Sequence, residues 1–103
     1  MSNGEQNLLD LLNKAHACNA ECITVEYKDM EYFIDAETGN KGIGIDRINA
    51  QEKSSELLIQ SIYNLKRKRR RTIESSGCKY KIRIETYEDF GEQAYRIWFK
   101  KQS

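Results

Sequence analysis

The chain has 103 residues, enough for one modest hydrophobic core and too few for two, so a single domain spanning 1–103 is expected. Hydrophobic residues make up 39% and charged residues 32%, there is no proline, and no apolar run approaches the roughly 18 residues of a membrane span, which excludes a disordered linker and a transmembrane helix as readings. The net charge of +1 conceals an asymmetry: six of the 17 Lys and Arg residues sit in 66–71, and the rest of the chain carries −5.

In chain order, Ser2 with Glu5 reads as a capping box. Leu8, Leu9, Leu12 and Ala15 then recur at helical spacing, and Asn19 is suited to end that helix. From Cys22 the period changes to two. Ile23, Val25 and Tyr27 alternate, "KDM" reads as a short turn, and Tyr32, Phe33 and Ile34 begin a return strand. The glycine-rich "TGNKGIG" is expected to close this hairpin as a loop, its glycines serving positive φ. Asn49 or Asp46 is a candidate cap for a second helix with a stripe of Leu57, Leu58, Ser61, Ile62 and Leu65, running into the basic block. "ESSG" breaks the chain. A second hairpin follows, in which Tyr80, Ile82 and Ile84 alternate with charged residues and, after "EDFGE", Tyr95, Ile97 and Phe99 alternate with Arg96 and Trp98. The expectation is an α+β fold of order α-β-β-α-β-β, an antiparallel sheet of two hairpins with both helices on one face.

Little in this pattern supports covalent chemistry. One histidine, His16, lies in a helix without a neighbouring nucleophile and carboxylate to form a triad. His16, Cys18, Cys22 and Cys78 have the right count for structural zinc, but the spacing H-x-C-x3-C is not that of a zinc knuckle, and free cysteines often serve as small buried hydrophobes. "TGNKGIG" is not a P-loop, because no Ser or Thr follows Lys41 and the G-x4-G-K spacing is missing. No catalytic residue, metal or cofactor is therefore expected. An odd number of cysteines and no signal-peptide pattern in "MSNGEQNLLDLLNKA" point to a cytoplasmic protein without membrane insertion.

Two features remain. Lys66, Arg67, Lys68, Arg69, Arg70 and Arg71 exceed what a helix C-terminus needs to offset its dipole, so an anionic partner is one reading and a solvated helix end the other. Trp98, with Arg96, falls on the strand face opposite the core, as a residue of a contact surface would.

"ACNAECITVEY" followed by "YFIDAETG", and "YKIRIETYEDFGEQAYRIWFKK" near the end, resemble the PAS-like N-terminal domain of type II secretion and type IV pilus ATPases, with its "ASDIHIE" and "RIDG" segments and its closing hairpin "VDVRVST…HGERVVLRLL". Asp35, Arg83, Thr86, Gly91, Glu92 and Arg96 match by position, whereas Thr24 stands where the family has His, and Ala36 where it has Gly. The resemblance covers most of 8–100 and leaves out the motor domain. It implies a non-catalytic protein-interaction module, with Lys66–Arg71, Arg83 and Arg96 facing phosphate or partner, and a protein partner that is a secretion-type ATPase or a second copy. The alternative from the residues themselves is a small nucleic-acid-binding protein that grips phosphates with 66–71 and stacks bases on exposed Trp98 and nearby tyrosines.

Overall fold

A computed structural model describes residues 3–68, 71–75, 77–89 and 91–102. Ser2 of the expected capping box lies outside them. Among the described residues the elements are α1 (Asn3–Ala17), β1 (Cys22–Lys28), β2 (Glu31–Thr38), β3 (Lys41–Asn49), α2 (Lys53–Lys66), β4 (Thr72–Ser75), β5 (Cys78–Asp89) and β6 (Glu92–Gln102). All strands join one antiparallel sheet of order β3-β2-β1-β6-β5-β4. Two three-stranded meanders thus meet at the β1–β6 seam.

The α+β class and the antiparallel sheet agree with expectation, but the order is α-β-β-β-α-β-β-β, not α-β-β-α-β-β. The first correction is "TGNKGIG". Only Gly39, at φ +60, and Asn40 form the turn, and the chain from Lys41 onward is strand. Its Ile43 and Ile48 lie opposite Ala36 and Tyr32; five residues apart, they share a face because an extra residue falls between them, and Gly42 and Gly44 flank Ile43. Asn49 and Asp46 therefore belong to β3 rather than capping α2. Asn49 nonetheless braces that helix, because its carbonyl accepts a 2.7 Å hydrogen bond from Ser55 Oγ. The second correction is β4. Its one buried apolar residue, Ile73, gives too short a pattern to stand out beside the cations that precede it.

Local chemistry explains the turns. Asn19 takes φ +61, and the Ala20 N–H donates to the Ala15 carbonyl at 3.0 Å, the closure by which a left-handed residue ends a helix. Asp29 and Met30 both have positive φ (52° and 67°), matching a two-residue hairpin whose twist follows that of the strands. A bulge between Ile34 and Asp35 inserts an extra residue into β3 near Ile45.

The core lies between the two helices and one sheet face. Leu8, Leu12, Leu58 and Ile62 pack over Ile23, Val25, Ile34, Ile84 and Ile97. Tyr80 is buried with them, and its hydroxyl donates to Asn13 Oδ1 of α1 at 2.7 Å, so the phenol costs no unpaired polar group. Helix α1 crosses α2 closely at Gly4, where a Cβ would overlap the Leu57 carbonyl and Ser61 Oγ. Two substitutions test this packing by denaturant unfolding. Ile62→Ala, at a fully buried position, should cost about 2–5 kcal/mol. Gly4→Ala should cost about 1–3 kcal/mol through overpacking at the helix crossing.

Candidate functional site

Helices cover one side of the sheet. On the other side, strand alternation places Cys22, Thr24 and Glu26 of β1 beside Glu37, Asp35 and Phe33 of β2. Across the seam stand Trp98 and Arg96 of β6, with Arg83, Glu85 and Tyr87 of β5 beyond them. The centre of this face is made of small side chains. Cys22, Thr24 and Ala94 are nearly inaccessible although no helix lies over them. Long residues from the flanking strands roof them.

The roof is built from guanidinium groups lying on aromatic rings. Arg96 sits 4.9 Å from the Tyr87 ring centroid, Arg83 5.3 Å from Trp98, and Arg47 of β3 4.5 Å from Phe33. Each such contact is worth about 0.5–1 kcal/mol where solvent reaches it. Carboxylates tie the stacks together. Glu31 pairs with Arg47 at 2.6 Å, Glu85 lies 3.4 Å from Arg83, and Glu26 accepts a 2.6 Å hydrogen bond from the Tyr87 hydroxyl.

Two donors in this roof have no acceptor. Arg96 Nε and Trp98 Nε1 are both covered and make no hydrogen bond, although Glu37 Oε2 lies 4.0 Å from the Arg96 nitrogen. They stand two residues apart on one strand, facing the same way. A covered N–H without an acceptor costs about 1–3 kcal/mol, and a charged one more.

The candidates from sequence are dispersed. Arg83, Arg96 and Trp98 share the helix-free face, as does Asp35. Trp98 is half-buried under Arg83 rather than the exposed indole expected. Lys66 belongs to the other side, where its Nζ donates at 3.1 Å to Thr86, a residue of the helix-bearing face. Arg67 is the C-cap of α2 and lies 5.8 Å from the Tyr63 ring. Arg71 folds back, donating to the carbonyls of Lys66 at 2.8 Å and Lys68 at 3.2 Å, and so satisfies orphan acceptors at the helix end. Arg69 and Arg70 lie outside the described residues. The helix stops at Lys66, so Arg67, Lys68 and Arg71 do not continue it, and Lys66 does not share a surface with Trp98. Sequence reasoning missed Phe33, Arg47, Tyr87 and the small central residues. The alternation that places Trp98 also places Tyr87, but which strands become neighbours was not readable.

The cysteines are also apart. Cys18 is exposed after α1, Cys22 lies on the helix-free face, and Cys78 packs against the core from the opposite side of the sheet. His16 meets Tyr80 edge-on at 6.1 Å. Burial pushes the Cys22 thiol up to about 12, with the Glu37 carboxylate adding to the effect and Arg96 opposing it. No helix among the described residues is long and apolar enough to cross a membrane. Compared with protein-family models and with curated proteins, the chain matches none.

The raised thiol has two measurable consequences. In native protein at neutral pH, a thiol reagent should modify Cys18 rapidly and Cys22 only on unfolding, read by peptide mass mapping. Burial likewise raises the phenols of Tyr32, Tyr80 and Tyr95. An acid that ionises less readily in the folded state stabilises it fully below the unfolded value, which for Cys22 is 9.0, and that stability fades as pH rises toward about 12. The urea midpoint should accordingly hold up to pH 9 and fall steadily above it.

Proposed function

We propose that the chain is a non-catalytic protein-interaction module that docks its partner on the helix-free sheet face. The observation that carries this reading is the adjacent pair of covered, acceptor-less donors, Arg96 Nε and Trp98 Nε1, within a roof of arginine–aromatic stacks. Tryptophan, tyrosine and arginine are the residues from which interface anchors are most often built. A partner presenting a carboxylate or backbone carbonyl there would satisfy donors that the chain leaves unpaired. The resemblance to the N-terminal domain of secretion and type IV pilus ATPases agrees with such a role. It names a secretion-type motor in the cytoplasm as the class of partner, reached in trans, and no membrane insertion is part of the reading.

Nucleic-acid binding by 66–71 together with Trp98 has less support. Lys66 lies on the side of the sheet opposite Trp98, and Lys66 and Arg71 already spend N–H groups on their own chain.

The test is affinity capture from a source lysate, run with and without nuclease. Trp98→Ala should reduce capture of a protein partner by about 2 kcal/mol or more, as for a central interface anchor. A variant with Arg67 and Lys68 replaced by Ala should capture normally. Nucleic acid should bind no tighter than about 10⁻⁴ to 10⁻⁶ M at physiological salt. Sub-micromolar binding to DNA or RNA, weakening steeply with ionic strength, would overturn the reading, as would capture that nuclease abolishes.

A further inference from the structure

The two edges of the sheet are guarded differently. The β4 edge is four residues long and directly follows the basic run. Short length and charge are devices that stop a strand from recruiting another chain. The β3 edge is nine residues long. Its second half is protected by the bulge and by Asp46 and Arg47. Its first half, Lys41–Ile45, is guarded only at its ends, by Lys41 and by the bulge residue Ile45: between them the sequence is G-I-G, and Ile43 is one of the large hydrophobic residues left exposed on the molecule. A strand bonded on one side only presents a row of backbone N–H and C=O groups on the other.

We propose that Lys41–Ile45 pairs antiparallel with the same segment of a second copy, about a two-fold axis at Ile43, making one continuous sheet across the dimer. The segment complements itself in this register. Ile43 meets Ile43 of the second copy, burying the exposed side chains against each other. Gly42 falls opposite Gly44, so no side chains oppose each other at those positions. Lys41 falls opposite Ile45 and next to Asp46 of the other copy, an opposite-charge neighbour that recurs by symmetry. No like charges oppose one another within the five residues. The bulge limits the pairing, because beyond Ile45 it turns the strand away. Such a closed isologous contact ends at two copies. It is small beside the roughly 1,200–2,000 Å² of a stable interface, so association is weak and concentration-dependent. This pairing is independent of the helix-free face, which stays open in the dimer.

Sedimentation equilibrium of the purified chain over a concentration series tests the association, and cross-linking tests the register. The wild type should move from a monomer of 12.1 kDa toward twice that mass as concentration rises. Ile43→Lys should shift the midpoint at least tenfold higher while leaving the far-UV spectrum and melting temperature unchanged. In a background with Cys18→Ser and Cys78→Ser, Ile43→Cys should oxidise to a covalent dimer. A mixture of Lys41→Cys and Ile45→Cys chains should cross-link more than either does alone. A wild type that stays monomeric at millimolar concentration would sink the proposal. So would a dimer that Ile43→Lys leaves intact, or one in which Ile43→Cys does not cross-link, since either places the contact elsewhere. A monomer that still captures its protein partner through Trp98 would remove this inference and leave the proposed function standing.

Discussion

The two halves of the chain are held in one sheet where β1 lies against β6, from Cys22 opposite Trp98 to Val25 opposite Tyr95. Everything on both faces follows from the register of those few residues. On the helix side it sets Ile23 beside Ile97 and Val25 beside Tyr95, beneath Leu8, Leu12, Leu58 and Ile62. On the other side it sets Cys22 and Thr24 beside Trp98 and Arg96. Strand side chains alternate with a period of two, so a slip of one residue would send the apolar set to solvent and the arginine–aromatic roof into the core. The seam is thus specified from both sides: the helices demand its apolar residues, and the long polar side chains need small ones beneath them.

What could be read in advance divides along the same line. Strong alternation in β1, β5 and β6 is a local property, and it correctly orients Ile97 and Phe99 inward and Arg96 and Trp98 outward. The apolar stripe of α2 is local too, with Leu58, Ile62 and Leu65 buried as their spacing predicts. Gly42 and Gly44, poor strand formers, give the start of β3 the look of a loop, and the bulge at Ile45 breaks the period of two that Ile43 and Ile48 would otherwise have to keep. At β4 a single buried isoleucine cannot announce a strand. The site is harder to read than the fold. That Arg96 rests on Tyr87, and that Lys66 reaches Thr86, depends on which strands become neighbours and where α2 stops. Those are outcomes of tertiary packing. The basic run looked like one unit in sequence only because its residues are consecutive. The end of the helix at Lys66 and the return of Arg71 give its members different surroundings.

The sheet consequently has two chemically distinct sides with different tolerances. On the helix side, tightness governs: the close crossing at Gly4 and the satisfied hydroxyl of Tyr80 leave little latitude. On the other side, the contacts are guanidinium stacks and partly exposed ion pairs, individually worth a fraction of a kcal/mol to about one. Such a surface can rearrange at modest cost. Its side chains are restrained by many weak contacts rather than fixed by a few strong ones.

The seam also bears on how the chain is made. β1 ends at Lys28, but its partner β6 begins only at Glu92. While the nascent chain is emerging, the first meander has one interior edge open and Ile23 and Val25 uncovered on the side that β6 will occupy. Contacts between residues so far apart in sequence form late and slow the search. Until β6 is made, the first meander is therefore a half-sheet with an open border, the kind of unpaired strand edge that favours aggregation. Of the described strands, the one that closes the seam is the last in chain order.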